Sequence, residues 1–382
     1  MKFFLLILEG LADDPLEDLN GRTPLEVAKT PHLDLLAKKG KVGAVSFVPK
    51  MMNASPDVAL GALLGFDPVQ FYTGLAPLEV LARGVEATDD DIAFRANFVT
   101  MLDNVLFDST SGRISDKEAS LLFEDLAKRT KIEGLRWIQG KGYRHWAVIR
   151  DPENTGKLDA ISSISPRSLL GQPYVKHLPK GSGVFAVADV VGQSIGILES
   201  HEINRVRIDL KENPANMVWL WGQGKKPRYP DFKQRFGLRA VMASEVDFAK
   251  GFAVALGMRH TDNFLGAASE EAVQIVYWGS QSFLDVQEDF RSKIRRIEEF
   301  DSSVVAQAVK EAERNRDCRI VVAADVVSSS ARKGFFHGHV PVLIQGAGIE
   351  ADASETFSEK SAAQSGWILD DGFNWMGEIL RC

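Results

Sequence analysis

Short runs of uninterrupted apolar residues recur along the chain, with segments of helical periodicity between them. After its Lys2, the first run, "KFFLLIL" (2–8), is apolar at every position, as expected of a strand buried on both faces. "RAVMA" (239–243), "AVQIVYW" (272–278), "RIVVAA" (319–324) and "VPVLIQG" (340–346) have the same character. Between them, "TPHLDLLAKKG" (30–40) has helical spacing and closes on Gly40, a C-cap glycine. "FRSKIRRIEEFDSSVVAQAVKEAERN" (290–315) is the most extended helical pattern. Strands alternating with helices predict an α/β fold with a doubly wound, mostly parallel sheet.

The middle of the chain is patterned differently. From about residue 80 to 235 the strand candidates are shorter and separated by polar turns: "AFRANFVTML" (93–102), "HWAVIR" (145–150), "NRVRIDL" (204–210) and "NMVWLWG" (216–222). This predicts an α+β cap domain, residues 79–235, inserted into a core domain made of 1–78 and 236–382. A length of 382 residues agrees with two domains. Ligands of open α/β sheets bind beyond the carboxyl ends of the strands, so the residues after "FFLLIL" and "RIVVAA" are the ones to inspect. They are Glu9 and Asp325. Two carboxylates at adjacent strand ends can hold a divalent cation or serve as loop and capping groups.

Composition narrows the partners. The net charge of −7 argues against nucleic acid or an anionic membrane surface and leaves room for a small anionic ligand in a local basic pocket. The only cysteines, Cys318 and Cys382, make no disulfide framework and suit a reducing cytoplasm. The N-terminal apolar run is too short for a signal peptide, and no segment approaches the roughly 20 apolar residues of a membrane span.

"ASPDVALGALLGFDP" (54–68) reads as a helix start followed by a turn: Ser55 as N-cap, Pro56 at the first helical position, Asp57 complementing the dipole. A small residue at such a helix head is also where phosphoryl-transfer enzymes place a nucleophile.

"GRTPLEVAKTPHLDLLAKKG" (21–40), "LGALLGFDPVQFYTG" (60–74) and "AFRANF" (93–98) resemble the archaeal-type cofactor-independent phosphoglycerate mutases, members of the alkaline-phosphatase-like metalloenzymes. Weaker agreement continues through "PRYPDFKQRFGLRAVMASEVDFAKGFAVALGM" and "DFRSKIRRIEEFD" to "VPVLIQG". The resemblance implies a split sheet with an inserted cap. It also implies interconversion of 3- and 2-phosphoglycerate through a phosphoserine, with two divalent metals, often manganese, held by Asp and His. The metals neutralise the phosphate and activate the hydroxyl.

Carried over position by position, that chemistry is largely missing. The family's opening Asp-Gly reads Glu9-Gly10. Pro56 occupies the nucleophile position. Ser282 and Val286 replace an Asp and a His, the Asp-His pair after a strand becomes Asp325-Val326, and Phe335 stands where the last His ligand belongs. Valine and phenylalanine have no lone pair to donate, and a serine hydroxyl is a poor ligand for a transition metal. On this reading Glu9 and Asp325 are vestigial ligands, and the chain is a pseudoenzyme that needs no cofactor. Neighbours offer a rescue: Ser55 for the nucleophile, Asp285, His337 and His339 for the metals. If they serve, the chain is an active mutase or a divergent phosphotransferase using manganese or another divalent cation. For substrate contacts the resemblance points to Arg95, Asn97, Arg113 and Lys250, while Leu75 and Trp221 replace family arginines. The implied partner is a small phosphorylated carboxylate, with a protein partner open to a degenerate member.

Overall fold

The computed structural model describes residues 1–150, 155–181, 184–263, 269–281, 283–284 and 289–381. The chain forms two compact units. One is built from both ends, Met1–Tyr72, Arg228–Phe283 and Gln287–Cys382; the other is principally Thr73–Pro227.

In the first unit, strand Lys2–Leu8 lies at the centre of an eight-stranded sheet, and its residues Phe3 to Leu8 are all buried. Val273–Trp278 and Cys318–Ala324 flank it in parallel, and Ala240–Ala243 and Arg259–Thr261 extend the parallel set on one side. On the other side Val340–Gly346 runs antiparallel between Cys318–Ala324 and Lys41–Val45, and Ile368–Leu369 closes the edge. The fold is thus the mostly parallel α/β sheet that the apolar runs predict, with the "VPVLIQG" strand reversed. Helix Pro31–Lys39 ends at Gly40, whose backbone is extended rather than left-handed (φ −131°).

The helical pattern at 290–315 is real but interrupted. Phe290–Phe300 passes through a π-helical turn, Asp301–Val305, into Ala306–Arg314. The buried carboxylate of Asp301 accepts from the backbone N–H groups of His32 (3.3 Å) and Leu33 (2.8 Å), and it meets His32 Nδ1 at 2.8 Å. Thr30, the N-cap of helix Pro31–Lys39, makes no side-chain cap bond. Asp301 therefore supplies the missing acceptor from another helix, and the π-turn is the local irregularity that accompanies it.

The second unit is an antiparallel sheet. Its axis is Asp91–Leu102, which pairs with Arg144–Arg150, Met217–Gly224 and Val105–Asp108; Leu135–Lys141 is added outside Arg144–Arg150. Helices Asp116–Arg129 and Val184–Leu198 bury Leu122, Leu126, Val187 and Val190 together with Phe94, Phe98 and Val218 of the sheet. The division between units falls at 72/73 and 227/228, earlier than the expected 78/79 and 235/236. Thr73 Oγ1 donates to the Lys225 carbonyl (2.8 Å), and helix Leu75–Ala82 packs on strands of the second unit, which draws 73–78 into it; residues 228–235 belong instead to the first unit, where Phe232 N donates to the Leu256 carbonyl (2.9 Å).

One expected strand is a helix. "NRVRIDL" lies in Glu202–Asp209, capped by His201, whose Nδ1 accepts from Ile203 N at 3.2 Å. The apolar alternation of Val206, Ile208 and Leu210 faces water. Asn204 and Arg207, three apart and on one helical face, are the buried residues. Asn204 Oδ1 accepts from Ala215 N (2.9 Å) while its amide donates to Leu198 O (2.9 Å) and Ala215 O (2.8 Å). Arg207 reaches the carbonyls of Ser111 (2.9 Å) and Asn213 (3.0 Å) and the carboxylate of Glu118 (2.9 Å). Polar satisfaction, together with Ile203 packed against the core, sets this element.

Candidate functional site

Three parallel strands deliver the strand-end site of the first unit. Leu8 is in register with Ala324 on one side and Trp278 on the other, so Glu9, Asp325 and the Gly279-Ser280 pair leave the sheet at one level. Glu9 and Asp325 are both buried. Between them stands Tyr277, the penultimate residue of its strand, with its hydroxyl 2.9 Å from Asp325 Oδ2 and 3.2 Å from Glu9 Oε1. The remaining oxygens are also engaged. Asp325 Oδ1 accepts from Gly10 N (2.9 Å) and Val326 N (2.7 Å), and Glu9 Oε2 accepts from Ser280 N (2.9 Å). Arg296 donates to the Glu9 carbonyl (2.7 Å) and lies over the Phe283 ring, 4.9 Å from its centroid.

Two glycines admit this arrangement. A Cβ on Gly279 would lie 2.4 Å from Glu9 Oε2, so the longer Glu arm fits because residue 279 has no side chain. Gly10 has a positive φ of +67°, and a Cβ there would lie 2.2 Å from the Phe283 ring.

Electrostatics follow from burial. Desolvation, with a smaller push from the Asp325 charge, lifts the Glu9 carboxyl to about 8. Asp325 is raised by burial too, against the opposing hydrogen bonds from Gly10 and Val326. Burial and the two carboxylates hold the Tyr277 phenol well above its ordinary range. Glu9 is therefore largely the neutral acid at pH 7. The phenol has one proton and gives it to Asp325, and the acid proton of Glu9 completes the 3.2 Å contact to the phenol oxygen.

These residues do not fit a divalent cation. The carboxylate oxygens that face one another are bonded to a phenol, and hard cations need such oxygens ionised and free. Val326 is buried and contributes only its backbone N–H. Phe335, in the hairpin of Val327–Ser329 with Gly334–Phe336, packs its ring 5.6 Å from that of Phe283. His337 and His339 follow the hairpin on the surface, and His339 Nε2 meets Asp370 at 2.9 Å. Among the described residues no three His, Cys, Asp or Glu side chains gather as a metal site. Ser282, Asp285 and Val286 lie outside the described residues.

The helix-head site differs from its sequence reading. Helix Pro56–Leu63 begins with Pro56 at its first position, and Ser55 is the N-cap residue by backbone (φ −160°, ψ 155°) but makes no side-chain cap bond. Its hydroxyl donates instead to Asp57 Oδ1, while the Tyr72 hydroxyl donates to Asp57 Oδ2. Asp57 is buried. The Tyr229 hydroxyl is buried without a hydrogen-bond partner, and its phenol is raised above its usual range by burial and by the Asp57 charge. Pro56 has no N–H to offer an anion at this helix head.

The residues expected to meet substrate fall in both units, Arg95, Asn97 and Arg113 in the second and Lys250 in the first. Arg95 is buried, its Nε and Nη2 each 2.7 Å from a different oxygen of buried Glu79, and Trp146 Nε1 donates to Glu79 at 2.8 Å. Trp221 lies under the Arg95 guanidinium (5.0 Å) and donates to buried Asn97 Oδ1 at 3.3 Å. Arg95 and Asn97 thus serve the interior of the second unit rather than a ligand-facing surface. Arg113, in a left-handed conformation (φ 55°), lines a polar cavity of about 420 Å³ with Ser115, Glu118, Arg207 and Lys211. Lys250, in the first unit, pairs with Asp262 at 2.7 Å. Sequence reasoning singled out neither Tyr277, Gly279, Phe283 and Arg296 nor Tyr72 and Tyr229.

Fold and site define the class: a mostly parallel α/β protein with paired carboxylates at its strand ends. Residues 37–204 match the family described as 2,3-bisphosphoglycerate-independent phosphoglycerate mutase. Proteins of that name from Methanothrix thermoacetophila and Methanosarcina barkeri are 34% and 32% identical to this chain, covering 97% and 100% of both partners in each pair. Among solved structures, the cofactor-independent phosphoglycerate mutase of Thermoplasma acidophilum is similar (TM-score 0.60, 24% identity, 100% of this chain and 99% of that one). So is a protein from Pyrococcus horikoshii (TM-score 0.76, 23% identity, 99% and 97%). The chain belongs to the 2,3-bisphosphoglycerate-independent phosphoglycerate mutase family.

Proposed function

We propose that this chain is a family member that does not interconvert 3- and 2-phosphoglycerate, and that it works in the cytoplasm as a binding protein for a small phosphorylated carboxylate. The observation that carries the reading is Pro56 at the head of its helix, where the family places a serine. A proline has no hydroxyl to receive a phosphoryl group and no N–H to cradle one. The strand ends support the same reading, since two carboxylates tied to a phenol neither bind a cation nor activate an alcohol. No helix among the described residues is long and apolar enough to cross a membrane. The test is turnover of 3-phosphoglycerate with added manganese, coupled to enolase, beside calorimetric binding of the same compound. Binding without turnover is expected, and turnover overturns the proposal.

A second reading has its own observation. The Ser55 hydroxyl is bonded to a buried carboxylate, Asp57, which can accept its proton. Phosphotransferase activity that disappears in Ser55→Ala would favour it; activity that persists in that variant would exclude Ser55 as the nucleophile.

A further inference from the structure

We propose that Tyr277 takes the place of a bridging cation in this chain: its hydroxyl ties the strand-end carboxyl groups of Glu9 and Asp325 together, and this part of the fold stands without divalent metal. The inference shares the loss of metal chemistry with the function proposed above but does not depend on Pro56, so the two can fail separately.

Three observations carry it. The first is position. A cation held by two facing carboxylates sits between them, within reach of one oxygen from each. The Tyr277 oxygen occupies that point, 2.9 Å from Asp325 Oδ2 and 3.2 Å from Glu9 Oε1. The second is saturation. The other oxygen of each carboxyl accepts backbone N–H groups, from Gly10 and Val326 for Asp325 and from Ser280 for Glu9. No polar atom of Glu9, Asp325 or Tyr277 is among the buried groups lacking a partner. A site that had merely lost its metal would leave buried carboxylates facing each other unpaired, at a cost of several kcal/mol. The third is fit. Glu9 reaches Ser280 N only because residue 279 is glycine, and the Phe283 ring covers Gly10, where any side chain would collide with it. Glu9 fits against Gly279 and meets Tyr277, as in a repacked site and not a decayed one.

The test uses the full chain produced in manganese-supplemented medium. Bound metal is measured by elemental analysis after dialysis, free Mn²⁺ by electron paramagnetic resonance during titration, and thermal unfolding with Mn²⁺ or EDTA. The wild type should hold far less than one metal per chain and unfold at the same temperature in Mn²⁺ and in EDTA. Glu9→Gln should stay close to the wild type, because the amide can donate to the phenol oxygen and its carbonyl can accept from Ser280 N. Tyr277→Phe leaves the carboxyls facing without a bridge and should lower Tm by ~5 °C. Mn²⁺ should then raise the Tm of that variant and not that of the wild type. One tightly held Mn²⁺ per wild-type chain, with a Tm that falls in EDTA and an affinity lost in Glu9→Gln, would overturn the proposal. If Tyr277→Phe does not fold, the wild-type and Glu9→Gln measurements still decide. Enolase-coupled turnover on the same samples separates the two readings. Turnover without bound metal overturns the proposed function and leaves the role of Tyr277 standing; stoichiometric metal without turnover does the reverse.

Discussion

Glu79 accepts both prongs of the Arg95 guanidinium and the Trp146 N–H inside the second unit, so either partner removed alone leaves a buried charge uncompensated. Arg95→Ala or Glu79→Ala should each cost about 3–5 kcal/mol in denaturant unfolding. An Arg95 whose main work is ligand contact would instead lose binding with little change in stability. Gly279 gives a sharper residue-level test. Gly279→Ala brings a Cβ against Glu9 Oε2 and should destabilise by about 1–3 kcal/mol. Glu9→Asp in that background withdraws the carboxyl and should recover part of the loss, a coupling visible in a double-mutant cycle. Glu9 and Asp325 were legible in the sequence because a carboxylate directly after a fully apolar strand stands at the carboxyl edge of the sheet, where α/β folds gather their polar chemistry. Tyr277 was not, because a hydroxyl inside "AVQIVYW" reads as another residue filling a buried strand. Its meaning depends on two residues more than 45 positions away along the chain, Glu9 by 268 and Asp325 by 48.

Elements were legible wherever apolar burial set them. The runs "FFLLIL", "IVYW" and "IVVAA" became central parallel strands because a segment of apolar residues facing both ways is satisfied by a doubly covered sheet. "NRVRIDL" misled because its apolar residues are the exposed ones, and the helix is held by Asn204 and Arg207, whose partners lie in other segments. The π-turn was equally hidden: Asp301 sits where helical periodicity predicts one more regular turn, and its acceptor role concerns a helix some 270 residues earlier (|i−j| = 268 for Leu33). Asp301→Ala should leave the amides of His32 and Leu33 without an acceptor and cost about 1–2 kcal/mol, as the loss of an N-cap does. Hydrogen exchange at those two amides should speed up more than at the C-terminal end of helix Pro31–Lys39. Equal acceleration along the whole helix would mean that Asp301 supports packing rather than the cap.

At the scale of the whole molecule, the two units carry groups that titrate in opposite senses, buried His145 in the second and half-buried Glu359 in the first. In the second unit, burial depresses His145 from 6.5 to about 3, with small contributions from the Arg83 and Arg144 charges. Its Nδ1 accepts from Gly140 N at 3.1 Å, and Phe123 stacks on the ring. Between pH 6.5 and 3 the unfolded chain takes up a proton here that the folded unit does not. Stability from this group is complete above 6.5 and is lost as pH falls, by about 1.4 kcal/mol per pH unit. In the first unit, Glu359 is raised to about 7 by burial, against hydrogen bonds from Thr23 (2.7 Å) and Asp13 N (3.1 Å). Here the folded unit keeps a proton that the unfolded chain releases above 4.5. This contribution is complete below 4.5 and is lost as pH rises to 7. Two units with separate cores need not melt together. Scanning calorimetry across this range should therefore show two transitions moving apart. Acid should lower the one that flattens in His145→Gln, and rising pH should lower the other, whose slope should decrease in Glu359→Gln without vanishing, because Glu9 in the same unit loses stability between 4.5 and about 8 in the same sense. A single transition affected alike by both variants would mean that the two units unfold as one cooperative body.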